Sequence, residues 1–119
     1  MPRRDLKVYY EDILKAGDEI IQLRKDAVNI NNFLGKNYFY RTAERCFQII
    51  GEAIFQIDKI NPQLNITGKR QIIGLRHMLT HDYDLIDYSR LWLYSEEVLP
   101  LLLSEIETLL EDELRNKGI

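Results

Sequence analysis

From Leu6 onward, apolar side chains return at steps of three and four: Leu6, Tyr9, Ile13, Ala16, Ile20, Leu23, Ala27 and Ile30. That spacing places them on one face of an α-helix. A second stripe runs through Phe39, Ala43, Phe47 (with Cys46 beside it), Ile50, Ile54, Ile57 and Ile60. A shorter one covers about Lys69 to His81, with Ile72, Ile73, Leu75, Met78 and Leu79 as its apolar side. The last passes through Trp92, Leu99, Leu102, Ile106 and Leu109. No segment alternates with period two for long enough to form a strand. Each stripe needs an apolar partner, and 119 residues hold one core. The pattern therefore predicts an all-α fold, an antiparallel bundle of four to five helices, as a single domain over residues 1–119.

The breaks between stripes carry turn chemistry. Gly17 interrupts the first helix at a cost of about 1 kcal/mol relative to Ala, which the periodicity outweighs. Asn29-Ile30-Asn31-Asn32 and Gly35 read as a stop and a turn. Asn61-Pro62 ends the second helix, because a residue before proline avoids the helical region. A polar loop closes at Thr67-Gly68. Asp82-Tyr83-Asp84 breaks the third pattern, and Asp87 or Ser89 can cap the next helix. Pro100 either kinks a long helix or starts a new one.

Composition removes several function classes. Hydrophobic residues make up 45% and charged residues 29%, enough to bury a core, so wholesale disorder is excluded. The single cysteine, Cys46, forms neither an internal disulfide nor a Cys-based zinc cage. No window approaches the roughly 18 apolar residues of a membrane span. The start, Met1-Pro2-Arg3-Arg4-Asp5, carries no apolar leader, so a soluble, cytoplasmic chain is expected. The net charge of −3 conceals an asymmetry. Residues 1–81 carry 13 Lys/Arg against 9 Asp/Glu, and residues 82–119 carry 3 against 10. A basic face can exist on such a chain, since attraction acts through patches; solvated helix faces explain the same numbers.

The informative segment is Gly74-Leu75-Arg76-His77-Met78-Leu79-Thr80-His81-Asp82-Tyr83. Arg76 and Thr80 share a helix face, and His77 and His81 share the next. Arg76 and His81 lie about 140° apart around the axis, so a helix end loosening near His81 would let both reach one ligand. The set suits a phosphodiester. Arg is a permanently charged fork that matches phosphate oxygens, and His moves protons near neutral pH. Two other readings stand beside this. The His77/His81 pair has metal-ligand spacing, yet Met78 occupies the position where metalloproteases need Glu, and no third ligand is evident. Arg76 pairing with an acid such as Glu52 would make a structural ion pair.

The stretch Ile72 to Asp87 resembles the signature of the HepT-like toxins, small helical RNases of the HEPN superfamily. Their signature is Arg, four residues, His, any residue, Tyr, matched here by Arg76, His81 and Tyr83. His77 stands where a polar residue follows the Arg, although Asn is commoner there in this subgroup. Ile50-Gly51-Glu52-Ala53 and Leu99-Pro100 resemble two further family segments, and the likeness spans roughly residues 5–112. The resemblance implies a metal-independent endoribonuclease without a cofactor, in which the 2′-hydroxyl of RNA attacks the adjacent phosphate. Arg76 would hold that phosphate and His81 would act as general base or acid, with His77 and Tyr83 secondary. It implies a C2 homodimer whose two Arg–His sets face one cleft. It also implies a partner, a nucleotidyltransferase antitoxin of the MNT type, that neutralises the toxin by transferring AMP to Tyr83 (a type VII toxin-antitoxin pair). A non-catalytic HEPN module that binds the nucleotidyltransferase is the alternative. A histidine-phosphotransfer bundle is disfavoured, because no Lys-Gly follows either His.

Overall fold

A computed structural model of the chain describes residues 5–81 and 86–117. Among these residues the chain forms six helices and no strand: α1 (Leu6–Ala27), α2 (Ile30–Gly35), α3 (Asn37–Ile60), α4 (Lys69–His81), α5 (Tyr88–Glu97) and α6 (Leu99–Lys117). The all-helical bundle is as expected. The extra elements come from the two places where the sequence left a choice.

The first is the end of α1. The stripe suggested helix as far as Ile30, but α1 stops at Ala27, and Val28 adopts φ 74°, ψ −47°. This region is strained for a β-branched residue. Two asparagines offset it. Asn32 donates its side-chain amide to the carbonyl of Ala27 at 2.9 Å, and Asn29 accepts the backbone N–H of Asn32 at 2.9 Å. One satisfies an orphan carbonyl of α1 and the other an orphan N–H of α2. The segment read as a turn is therefore a short helix, anchored by Phe33 against Trp92 with ring centroids 5.2 Å apart. The second place is Pro100, which lies in the first turn of α6, where its missing N–H costs nothing. Asp87 caps α5 by accepting the N–H of Ser89 at 3.1 Å.

Helix α3 is the axis of the bundle: it packs against α1, α2, α4 and α5, while α6 closes on α1 and α5. Ile13, Ile20, Phe47, Ile50, Ile54, Ile57, Leu91, Leu102 and Ile106 are fully buried along these contacts. Each contributes about 1.5–3 kcal/mol of burial, more than Gly17 costs. Gly17 has a packing reason as well. A Cβ there would lie 2.5 Å from Leu103 Cδ2, so the glycine makes room for α6.

Helix α4 stands at the edge, packed principally on α3. Its entry is fixed by Gly68 at φ 70° and by Glu105 of α6, which accepts the Thr67 N–H at 2.7 Å and the Thr67 hydroxyl at 2.5 Å. Ile72, Leu75 and Leu79 face inward, whereas Arg70, Gln71, Gly74, His77, Thr80 and His81 are exposed. None of the described helices is long and apolar enough to cross a membrane.

Candidate active site

Arg76 occupies the boundary between the buried and exposed faces of α4. Its place is set from α3. Gly51 lets the helices approach so closely that a Cβ there would meet Arg76 Cβ at 2.5 Å and the Ile72 carbonyl oxygen at 3.2 Å. One residue on, Glu52 Oε2 accepts the Nε–H of Arg76 at 2.6 Å. One turn on, the Phe55 ring lies under the guanidinium, with Cζ 4.3 Å from its centroid. Gln56 donates to the other carboxylate oxygen, Glu52 Oε1, at 3.0 Å. The Gln56 hydrogen bond is the largest cause holding the Glu52 carboxyl below its ordinary value. Partial burial opposes it, and the hydrogen bond and charge of Arg76 add to it.

The structural ion pair that the sequence allowed is thus present, but it uses only part of the guanidinium. Arg24 shows the contrast. That residue directs NH1 to the Ser95 hydroxyl at 2.6 Å and to the Trp92 carbonyl at 3.2 Å, and NH2 to Glu96 at 3.4 Å. Its terminal nitrogens are spent on joining α1 to α5. Arg76 is bonded at Nε, and among the described residues neither terminal nitrogen has a partner.

His77 and His81 stand one turn apart on the exposed face of α4, with ring centroids 4.8 Å apart. The helix stays regular through His81, so the loosened end that would carry it toward Arg76 is not seen. Arg76 turns toward α3 and the two imidazoles turn to solvent. Within one chain, then, the histidines are brought together, while Arg76 bonds Glu52 of α3. Gln48 pins this end of α4 by donating its amide to the Leu79 carbonyl at 3.2 Å, satisfying one of the last-turn acceptors. Thr80 is exposed beside the histidines. Tyr83, together with Asp82 and Asp84, lies outside the described residues. An open groove lined by Tyr9, Asp12, Arg45, Gln48, Ile49, Glu52 and Ala53 runs between α1 and α3 beside the Glu52–Arg76 pair. Among the described residues no three His, Cys, Asp or Glu side chains are grouped to share a metal ion.

Chemically, the edge of α4 offers a fixed cation whose terminal donors have no partner among the described residues, and two exposed imidazoles. Such groups bind phosphate oxygens and transfer protons. Reading the sequence did not single out Gln48 or Phe55 as parts of this arrangement. The signal was available: Gln48, Gly51, Glu52 and Phe55 recur at steps of three, one and three on α3, which is one helix face.

Comparison with known proteins bears on this geometry. The family model described as Ribonuclease HepT-like matches residues 13–109. Three similar proteins of Methanocaldococcus jannaschii each bear the name "Putative RNase". One is 31% identical over 113 residues, covering 94% of this chain and 97% of its own. A second is 30% identical over 113 residues, covering 94% and 93%. The third is 32% identical over 108 residues, covering 90% and 98%. No solved structure matches the chain.

Proposed function

The chain belongs to the HepT-like ribonuclease family, and from that premise we propose that it is a metal-independent endoribonuclease, the toxin of a toxin-antitoxin pair. The observation that carries the reading is the state of Arg76: a largely buried side chain, anchored through Nε at 2.6 Å, whose terminal donors have no partner among the described residues. Two adjacent N–H groups on a fixed fork match two oxygens of a phosphodiester. In the proposed reaction the RNA 2′-oxygen bonds to the neighbouring phosphorus and the 5′-oxygen departs. One imidazole takes the 2′-hydroxyl proton, and a second, protonated imidazole gives its proton to the leaving 5′-oxygen. The products are a 2′,3′-cyclic phosphate and a 5′-hydroxyl. Arg76 stabilises the charge that builds on the phosphoryl oxygens, and His81 moves the proton.

Arg76 and His81 lie about 140° apart around a helix that stays regular through His81, and the reading therefore includes a second copy. The exposed face of α4 carries Gly74, His77, Thr80 and His81 and faces away from the bundle. A two-fold pair joined along this edge would line one cleft with both Arg–His sets, and would supply a local positive field in a chain of net charge −3. By the same reading a nucleotidyltransferase of the MNT type transfers AMP to Tyr83. The added phosphate would occupy the cleft and neutralise Arg76.

The test is RNA cleavage by AMP-free protein in EDTA. The wild type should leave cyclic-phosphate ends. Arg76→Ala should lose about 100- to 1000-fold, in the range of a deleted transition-state donor, and His81→Ala at least about 100-fold. Intact RNA with AMP-free wild type would favour the alternative, a non-catalytic partner of the nucleotidyltransferase. Mass spectrometry after co-expression with such an enzyme checks Tyr83 separately: a peptide that never gains AMP removes the regulatory reading and leaves the nuclease reading standing.

A further inference from the structure

We propose that Glu52 is a positioning residue of the site: it locks the Arg76 guanidinium through Nε against the Phe55 ring and so holds in place two terminal nitrogens that, among the described residues, have no partner and remain for a phosphate. The inference rests on the reading of Arg76 as the phosphate-holding group and adds to it the element that sets its aim.

Four observations converge on it. Glu52 Oε2 accepts the Nε–H of Arg76 at 2.6 Å, a short, charge-assisted bond. The Phe55 ring packs against the guanidinium from one side, with Cζ 4.3 Å from its centroid. Gln56 holds Oε1 at 3.0 Å, which leaves Oε2 to the arginine. Gly51 removes the one Cβ that would push Arg76 away. Glu52 grips the guanidinium through Nε, which leaves NH1 and NH2 with no partner among the described residues. Arginine is long and loses much rotamer freedom when it grips a ligand. Here that freedom is lost on folding, before RNA arrives.

The arrangement makes an unusual demand on the measurements. Glu52 brings a negative charge next to the group that would attract RNA, so removing it should not weaken binding. It should slow cleavage, because the fork loses its aim. Binding is read with RNA whose 2′-hydroxyls are methylated, which cannot be cut, and cleavage in single turnover with the unmodified RNA. Glu52→Ala is expected to bind methylated RNA at least as tightly as wild type, yet to cleave about 10- to 100-fold more slowly. Glu52→Gln keeps an acceptor oxygen for Nε and should recover most of the rate. Phe55→Leu retains apolar bulk without the ring and should slow cleavage in the same way, so the inference can be judged even where Glu52→Ala folds poorly.

Cleavage by Glu52→Ala at or above the wild-type rate would overturn the inference. So would binding and cleavage lost in step, which marks simple disruption, or a Glu52→Gln variant as slow as Glu52→Ala. These outcomes differ from failure of the underlying reading. If Arg76→Ala cleaves like wild type, Arg76 holds no phosphate and both ideas fall. If Arg76→Ala is inactive while Glu52→Ala is not, only the positioning role falls.

Discussion

Cys46 shows how burial settles what a single residue can do. Its side chain is fully enclosed and its Sγ lies 3.0 Å from Glu19 Oε2. Burial, and then the hydrogen bond and charge of Glu19, push the thiol up to about 12. The thiolate is the reactive form, so the native protein should resist iodoacetamide at pH 8 and react within minutes once unfolded in urea. Rapid labelling of the native chain would show that the thiol is not held in this way. Arg24 and Arg76 make a related point. Both lie against an aromatic ring and both bond a carboxylate, Arg24 over Trp92 at 4.2 Å and Arg76 over Phe55 at 4.3 Å. What separates them is which nitrogens remain available, a property of side-chain geometry. The sequence motif drew attention to Arg76 and named Glu52 as a possible partner. It carried no information on whether that bond would use up the fork.

At the scale of elements, the contact between α3 and α4 sets the site, and two glycines on it behave oppositely. Gly51 lies where the helices touch, with Arg76 Cβ at 2.5 Å from a built Cβ. The clash is with the root of a side chain and with backbone, so the helices must separate. Gly51→Ala should destabilise by about 1–3 kcal/mol, the cost of overpacking, in urea unfolding. Gly74 is exposed on α4 with nothing within 4 Å of a built Cβ. Gly74→Ala should stabilise by about 0.5–1 kcal/mol through helix propensity. A stabilised Gly51→Ala would mean that the helices sit farther apart than described. The starts of α4 and α5 were readable because their signals are local: Gly68 and Asp87 act on their own backbone, whereas Pro100 left a kink and a new helix both open. The end of α1 was not readable. Val28 at φ 74° is held by Asn29 and Asn32 and by the docking of Phe33 on Trp92, and no propensity marks a valine for that conformation.

For the whole molecule, pH provides the clearest test. The Glu52 carboxyl is held low by Gln56 and Arg76. Asp58 is held low by Lys69 and Arg70, and Asp87 by Ser89 and Arg90. Each folded value lies below the unfolded one. Their stabilisation is therefore fully present above the ordinary carboxylate range and is lost as pH falls through the lowered folded values. Urea midpoints should be level near neutrality and decline on acidification, and Asp58→Asn should flatten that acid limb. A midpoint that rises as pH drops would contradict the assignment. The same distinction of scale runs through the fold. Apolar spacing at three and four residues specified helices, their inward faces and a shared core, because periodicity along a chain is also geometry around an axis. The Arg–His–Tyr spacing marked the candidate site. The direction in which each functional group points depended on the assembled bundle. Arg76 aims as it does because Gly51, Glu52 and Phe55, more than 20 positions earlier in the chain, arrive beside it when α3 and α4 pack. Interatomic distances between distant segments are set by packing, and no local pattern of residues encodes them.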